Sequence, residues 1–494
     1  MRNRLLARNT TASLVTQIVT LICGFILPRF FLQHYGSEVN GLVSSISQFL
    51  SIISFLELGV GAVVQSALYK PLADRDREQV SKVMASANKF FRRLASILLV
   101  YILFLLVIYP LMIERSFEFL YTAALIAAIS ISSFAQFYFG IVNSLLLTAD
   151  QRGYIQYNTQ TITIILNTVI CIVLIQAGGS IQLVKLASSL IYFIRPVALR
   201  LYIDKRYQID WKIQYQEEPI QQKWNGVAQH VAAVVLDGTD TIVLTMFSNL
   251  SDVSVYSVYF LVVKGVKTVF LSLTNGIQSL IGELWAKQEL PELNELFGWT
   301  EWVIHTGTTF VFSCTAALIV PFVRVYTDGI NDANYIQPFF ALLLTLANAM
   351  HCLRLPYNIM VLAAGHYKQT QRNYIVAAIM NVVLSVATVK LWGLIGVAIG
   401  TLAAMAYQTI WLAVYDSKNL IYWPLKKVCK QFLTDGVTFT GVVLISKLFY
   451  LREVTYLQWF IVAVEIAIVA VILVLCVNLV FYRDKVEKVR SKFF

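Results

Sequence analysis

Two stretches, NSLLLTADQRGYIQYN (Asn143–Asn158) and NIMVLAAGHYKQTQRN (Asn358–Asn373), align along their whole length, with identities at Asn143/Asn358, Leu147/Leu362, Ala149/Ala364 and Asn158/Asn373. A second pair stands at the same offset to within one position: GSEV (Gly36–Val39) lies opposite LSDV (Leu250–Val253). One match of this quality arises by chance. Two at one offset, each at the same place in the order of apolar runs, mark an internal repeat. Each copy is built almost wholly of apolar runs, so the repeating unit is a block of membrane helices.

The composition agrees. Of 494 residues 58% are hydrophobic and 14% charged, and the mean hydropathy is +0.67. Soluble domains average about 45–50% apolar and about 25% charged, so an ordinary soluble enzyme is excluded, and so is a disordered chain. At about 20 apolar residues per crossing the apolar runs give fourteen spans, near 12–33, 41–68, 92–113, 119–147, 155–176, 181–203, 225–248, 254–282, 302–325, 335–363, 374–391, 393–415, 430–450 and 457–482. They lack the alternating pattern of an outer-membrane barrel, which leaves helices as the spanning element. The expected fold is an all-α integral membrane bundle. Residues 1–215 form a first six-helix lobe, 216–418 its repeat, and 419–494 two further helices with a basic tail. Six spans per copy make the repeat parallel, the arrangement of two transporter halves around a central site.

Lysine and arginine set the orientation. With the N-terminus inside, the inner loops and termini hold 29 of the 39 basic residues and the outer loops six. Both termini are therefore expected on the cytoplasmic side. The net charge of +11 suits anionic inner-leaflet lipid as partner and argues for no nucleic acid. The opening stretch MRNRLLARNTTASLVTQIVTLICGFILPRFF is too long for a signal-peptide core and lacks a small-residue cleavage site, and reads as a retained first span. The loops are short and leave no room for a soluble domain. The stretch Lys70–Arg93 reads as a basic amphipathic surface helix leading into the third span, and its counterpart around Glu283–Glu301 as an acidic, solvated one.

No Walker A sequence, HExxH or nucleophile elbow occurs, and the six cysteines show neither CxxC nor metal spacing. No enzyme activity, metal or cofactor is expected. The candidate functional residues are the charges that cost at least about 2.5–3.5 kcal/mol to place at a bilayer centre. They are Arg29 in the first span, Glu57 in the second, Asp237 and Asp240 in the seventh, and Lys264 and Lys267 in the eighth. Arg354 follows in the tenth, with His351 one turn before it, and Glu465 in the fourteenth. Asp237/Asp240 and Lys264/Lys267 are i,i+3 pairs that project from one helical face. Depth counted along the helix axis, at about 1.5 Å per residue, sets Asp240 level with Lys264, as a structural ion pair or as part of an anion-binding cleft. The same count sets Glu57 level with Arg354, as an ion pair across the lobes.

With these features in place, FILPRFFLQHYGSEVNGL, ELGVGAVVQSALYKPLADRDREQV and the basic inner loops resemble the Wzx-type polysaccharide flippases. These belong to the multidrug/oligosaccharidyl-lipid/polysaccharide superfamily, with the lipid II flippase and the MATE drug exporters. The resemblance implies transfer of an undecaprenyl-diphosphate-linked repeat unit between leaflets, for capsule, exopolysaccharide or O-antigen, with the polymerase machinery as a partner. It gives the diphosphate to Arg29, Lys264, Lys267 and Arg354, and a gate to Glu57 with Arg354. It further implies a coupling site for Na+ or H+ at Asp237 or Asp240, Asn381 and Thr401. The eleventh span carries no acid, so a cation there would meet few carboxylates. MATE-like cation-coupled export is the alternative. Exporters of that kind often use an acid in the first span, where this chain has Arg29.

Overall fold

The computed structural model describes residues 2–52, 55–113, 116–220 and 227–493; side chains at 2–4, 6, 55–59, 62, 227–233, 237, 273, 275–276 and 492–493 lie outside the description. The described secondary structure is helical throughout. Twelve helical stretches among the described residues are long and apolar enough to cross a membrane, and the chain is a multi-pass membrane protein. The expected spans 41–68 and 225–248 are not among the twelve, and both meet residues outside the description.

Contacts divide the chain into two compact units, Met1–Val234 and Val235–Phe494. The first contains α1 (Arg2–Ser51), α2 (Phe55–Ala73), α3 (Arg77–Met112), α4 (Phe119–Ala135), a π turn (Gln136–Gly140), α5 (Ile141–Ala149), α6 (Gly153–Gln176) and α7 (Ile181–Tyr207). Helix α8 (Val227–Phe247) crosses the division. The second unit continues with α9 (Leu250–Lys287), α10 (Leu290–Tyr326), α11 (Pro338–Leu353), α12 (Leu355–Ala363), α13 (Tyr367–Trp392), α14 (Leu394–Asn419), α15 (Leu425–Ser446), α16 (Tyr456–Phe481) and α17 (Arg483–Phe493). The basic stretch from Lys70 is not one surface helix: it is the end of α2, a turn, and the first turns of α3, capped by Asp76, which accepts from the Gln79 N–H at 3.0 Å.

A helix-ending turn recurs in the two units at the offset that joins Gly36 to Leu250, one residue less than the offset of the Asn143/Asn358 identities, so those identities fall one position out of backbone register. In the first unit the amides of Asp150, Gln151 and Arg152 donate to the carbonyls of Leu146, Thr148 and Leu147; in the second, those of Ala364, Gly365 and His366 donate to Met360, Leu362 and Val361. The middle residue of each turn is left-handed, with φ of 57° at Gln151 and 72° at Gly365. This is the closing geometry of a helix C-terminus. Gly36, with φ 80° and ψ 175°, breaks α1 where the second copy passes from α8 to α9. The long apolar runs 119–147 and 335–363 are likewise not single helices. The first is interrupted by the π turn ending at Gly140 and the second at Arg354 before Pro356, and Gly140 and Arg354 stand at the same offset again.

Polar contacts fix the helix pairs. In the first unit Asn9 of α1 caps α6, its Oδ1 accepting from Tyr154 N and its Nδ2 donating to Gln151 O, each at 2.8 Å. Thr16 and Thr161 share a hydrogen bond of 2.9 Å between the same two helices. In the second unit α14 lies tight on α13 through Gly396 and Gly400. A Cβ on Gly396 would stand 2.5 Å from Thr388 O, and one on Gly400 2.8 Å from Ser385 N. Small residues four apart let helix backbones approach within a membrane, and this approach carries Thr401 onto Asn381.

Candidate functional site: buried charges of the second unit

Helices α8, α13 and α14 gather three of the expected coupling-site residues. The Thr401 hydroxyl donates to Asp240 Oδ1 at 2.7 Å and accepts from Asn381 Nδ2 at 2.9 Å. Tyr256 of α9 donates to Asp240 Oδ2 at 2.9 Å. Asp240 is 2% exposed, and the opposite oxygen of Asn381, Oδ1, is buried with no hydrogen-bond partner among the described residues. A void of about 10 Å³ opens beside Asp240, lined by Tyr256, Asn348 and Thr401, enough for about one water-sized sphere. A carboxylate and hydroxyl oxygens around a one-atom void suit a hard cation, which takes oxygen ligands; Asn381 stands behind Thr401 and does not line the void. The side chain of Asp237 lies outside the described residues.

The lysines of α9 separate. Lys267 is buried and Lys264 exposed, its ammonium 5.9 Å from the Phe260 ring. Among the described residues no ion pair joins Asp240 to Lys264, so the expected Asp240–Lys264 contact is corrected. Counted from the observed ends of α8 and α9, Asp240 lies about 10 Å deep and Lys264 about 21 Å, and Asp240 instead meets Thr401 of α14 and Tyr256, two turns before Lys264 on α9. Lys267 bears on a different group. Arg354, 7% exposed, stands at the break between α11 and α12, its Nη2 3.2 Å from His351 Nδ1. The charges of Lys267 and Arg354 both act on His351. Together they form a buried cationic centre. Arg29 is half-buried in the first unit, where the Gln33 amide one turn on lies 3.1 Å from its Nη2. The side chain of Glu57 lies outside the described residues, and Glu465 is exposed on α16.

A second buried network has no counterpart among the expected sites. Glu301, expected on a solvated acidic face, is 3% exposed within α10. It accepts from the Tyr357 hydroxyl at 2.8 Å and from Trp423 Nε1 at 3.0 Å. One turn on, His305 Nδ1 lies 2.6 Å from Asp435 Oδ2 of α15, and Thr309 donates to Asp435 Oδ1 at 2.9 Å. Gln431 adds a third donor at 3.2 Å. The sequence carries the signal: Glu301, His305 and Thr309 recur every four positions, and Asp435 interrupts an apolar run. Because Asp435 holds partners on two helices, its replacement by alanine is expected to cost about 3–5 kcal/mol. Asp435→Asn should cost clearly less in denaturant or thermal unfolding of the detergent-solubilised chain.

At the same end of the unit a pocket of about 570 Å³ is lined by Trp299, Glu301, Trp423, Lys427, Lys430 and Lys485, among others. Lys485 opens α17 and donates to Gly298 O at 2.6 Å. Burial pushes its ammonium down to about 8; the Glu301 carboxylate opposes this, and Lys427 and Lys430 add to it. The folded state thus binds this proton less tightly than the unfolded chain does. The resulting penalty is full below about pH 8 and is relieved as pH rises from there towards 10.5, so this group makes the fold more stable with rising pH in that window. Reductive methylation read peptide by peptide should show Lys485 reacting with a midpoint near pH 8, well below that of the neighbouring Lys488.

Solved structures place this architecture. The lipid II flippase MurJ, in an inward closed conformation, matches with a TM-score of 0.70 at 14% identity, over 97% of this chain and 99% of that one. The chain shares the fold of that flippase. The DinF-BH MATE multidrug transporter matches at TM-score 0.60 and 14% identity, over 85% and 97% of the two chains. The Vibrio cholerae MATE transporter VcmN, as a point mutant, matches at 0.59 and 11%, over 85% and 99%. No protein-family model and no curated protein matches the chain in sequence. At these identities the likeness is one of fold, shared with a flippase and with transporters, none of them an enzyme.

Proposed function

We propose that the chain is a flippase that carries undecaprenyl-diphosphate-linked polysaccharide repeat units from the inner to the outer leaflet of a bacterial cytoplasmic membrane, both termini facing the cytoplasm. The observation that carries this reading is the pair of buried cations in the second unit, Arg354 and Lys267, with the Arg354 guanidinium on His351 Nδ1. A bilayer-buried guanidinium beside an ammonium repels organic cations and suits a diphosphate, which Arg engages through paired donors. The near full-length likeness to a lipid II flippase supports it.

In this reading Arg354, Lys267, Lys264 and Arg29 draw in the diphosphate while the polyprenyl tail stays in lipid. Glu57 and Arg354 pair and part as a gate. Na+ or H+ at Asp240, Thr401 and Asn381 biases the cycle, and the delivered unit passes to a polymerase. The second reading is a MATE-like cation-coupled exporter. The Asp240–Thr401–Asn381 cluster favours it, since cation coupling is all that reading requires of the second unit.

Complementation separates the two. A flippase-null strain carrying the chain is expected to regain surface polymer and to clear lipid-linked units from the inner leaflet. Restored dye efflux without restored polymer would overturn the flippase reading.

A further inference from the structure

We infer that the first unit holds a specific site for an anionic phospholipid, with the headgroup phosphate in a pocket at the basic end of α3 and an acyl chain along the same helix. Lys89, Arg92, Arg93 and Ser96 are spaced i, i+3, i+4, i+7, which puts them on one face of α3. The segment that follows α7 folds over that face, and together they enclose a pocket of about 640 Å³ with Lys89, Arg92, Arg93, Lys212, Trp211 and Tyr215 among its lining. No acidic side chain lines it.

Its walls are held in place. The Trp211 ring lies 3.9 Å from the Arg200 guanidinium carbon, and its Nε1 donates to Asp204 Oδ1 at 3.2 Å. Arg92 sits 4.8 Å from the centre of the Tyr138 ring, and Asp210 Oδ1 accepts from the Lys212 N–H at 2.9 Å. Four cations line the pocket, while the carboxylates of Asp204 and Asp210 hold its walls from outside the lining, and such a lining favours an anion.

What identifies the anion as a lipid is the continuation of the face. Beyond Ser96 the same side of α3 carries Val100, Leu103, Phe104, Val107 and Leu111, which are 51–67% exposed. The pocket therefore lies where the apolar run of α3 begins, with an uncovered apolar stripe leading away from it. Basic pockets between helices at this level bind phosphorylated headgroups, and tryptophan and tyrosine favour the same interface. The pocket at the start of α10 in the second unit differs in kind, since Glu295, Glu301 and Asp484 line it beside its lysines. The proposal does not depend on what the chain transports.

The test uses the full chain in phosphatidylcholine vesicles doped with phosphatidylglycerol bearing brominated acyl chains, which quench nearby tryptophan. The Trp211 signal is the emission lost in Trp211→Phe. Brominated phosphatidylglycerol is expected to quench it at a far lower mole fraction than brominated phosphatidylcholine. Each basic residue at an anionic surface contributes about fivefold, so Arg93→Gln with Lys212→Gln should raise the half-quenching fraction about 25-fold, while Arg93→Lys with Lys212→Arg restores it. Equal quenching by the two lipids, or no shift in the doubly neutralised chain, would overturn the site. Displacement by millimolar inorganic phosphate would reassign it to a free anion. Displacement by a polyprenyl diphosphate more readily than by unbrominated phosphatidylglycerol would reassign it to the transported lipid.

Discussion

Arg354→Ala is expected to reduce export of lipid-linked repeat units by about 10–100-fold while the chain still reaches the membrane. A hydrogen bond to a charged group contributes about 1.5–3 kcal/mol, and every 1.4 kcal/mol is about tenfold. Losing a guanidinium that engages a diphosphate removes at least one such bond. Arg354 is placed for this by its backbone. It sits where α11 stops and α12 begins, with His351 one turn back and Lys267 close by. Arg354→Lys keeps the charge and loses the planar fork, so it should recover part of the rate. Surface polymer and trapped lipid-linked units, measured with equal amounts of folded protein, decide the matter. Wild-type export in the alanine variant would remove Arg354 from both substrate binding and gating.

The second large effect is at Asp240. Asp240→Asn keeps the shape, so Thr401 and Tyr256 can still bond to it, but it removes the charge that a cation would require. In vesicles with an imposed sodium gradient, proton gradient or membrane potential, the wild type should accelerate and the variant should not. One cation moved across 100 mV is worth about 2.3 kcal/mol, which sets the lost drive at about 50-fold. If neither sodium nor protons accelerate the wild type, the Asp240 cluster is a structural polar contact. If both chains respond equally, the coupling site lies elsewhere.

The membrane class and most helices were legible because apolar run length survives without contacts. The meeting of Asp240, Asn381 and Thr401 was legible only through the family resemblance, since the residues lie on three helices and no spacing connects them. Depth counting failed for Asp240 and Lys264 because it starts from the edge of the apolar run at 254, whereas α9 begins at Leu250, which leaves Tyr256 and not Lys264 level with Asp240. Glu301 reads as solvated because acids at a span's edge usually are. Here α10 extends past that edge, and Tyr357 and Trp423 enclose the carboxylate. The pocket on α3 was half visible, its basic residues plain in the sequence. Its roof at Trp211–Tyr215 comes from a turn far along the chain that only folding brings back.

The matched interruptions at Gly140 and Arg354 bear on how such a chain does its work. The two interruptions stand at matching places but differ in kind, a π turn in the first unit and a break ahead of Pro356 in the second. What each copy presents there is not shared. In the first copy the place carries no side chain, and a Cβ on Gly140 would meet Pro196 Cβ at an ordinary 3.4 Å and the movable Gln136 Oε1 at 2.7 Å. In the second it carries a buried guanidinium. Two units of like layout thus use one place differently, the first as a bend and the second as the seat of a charge.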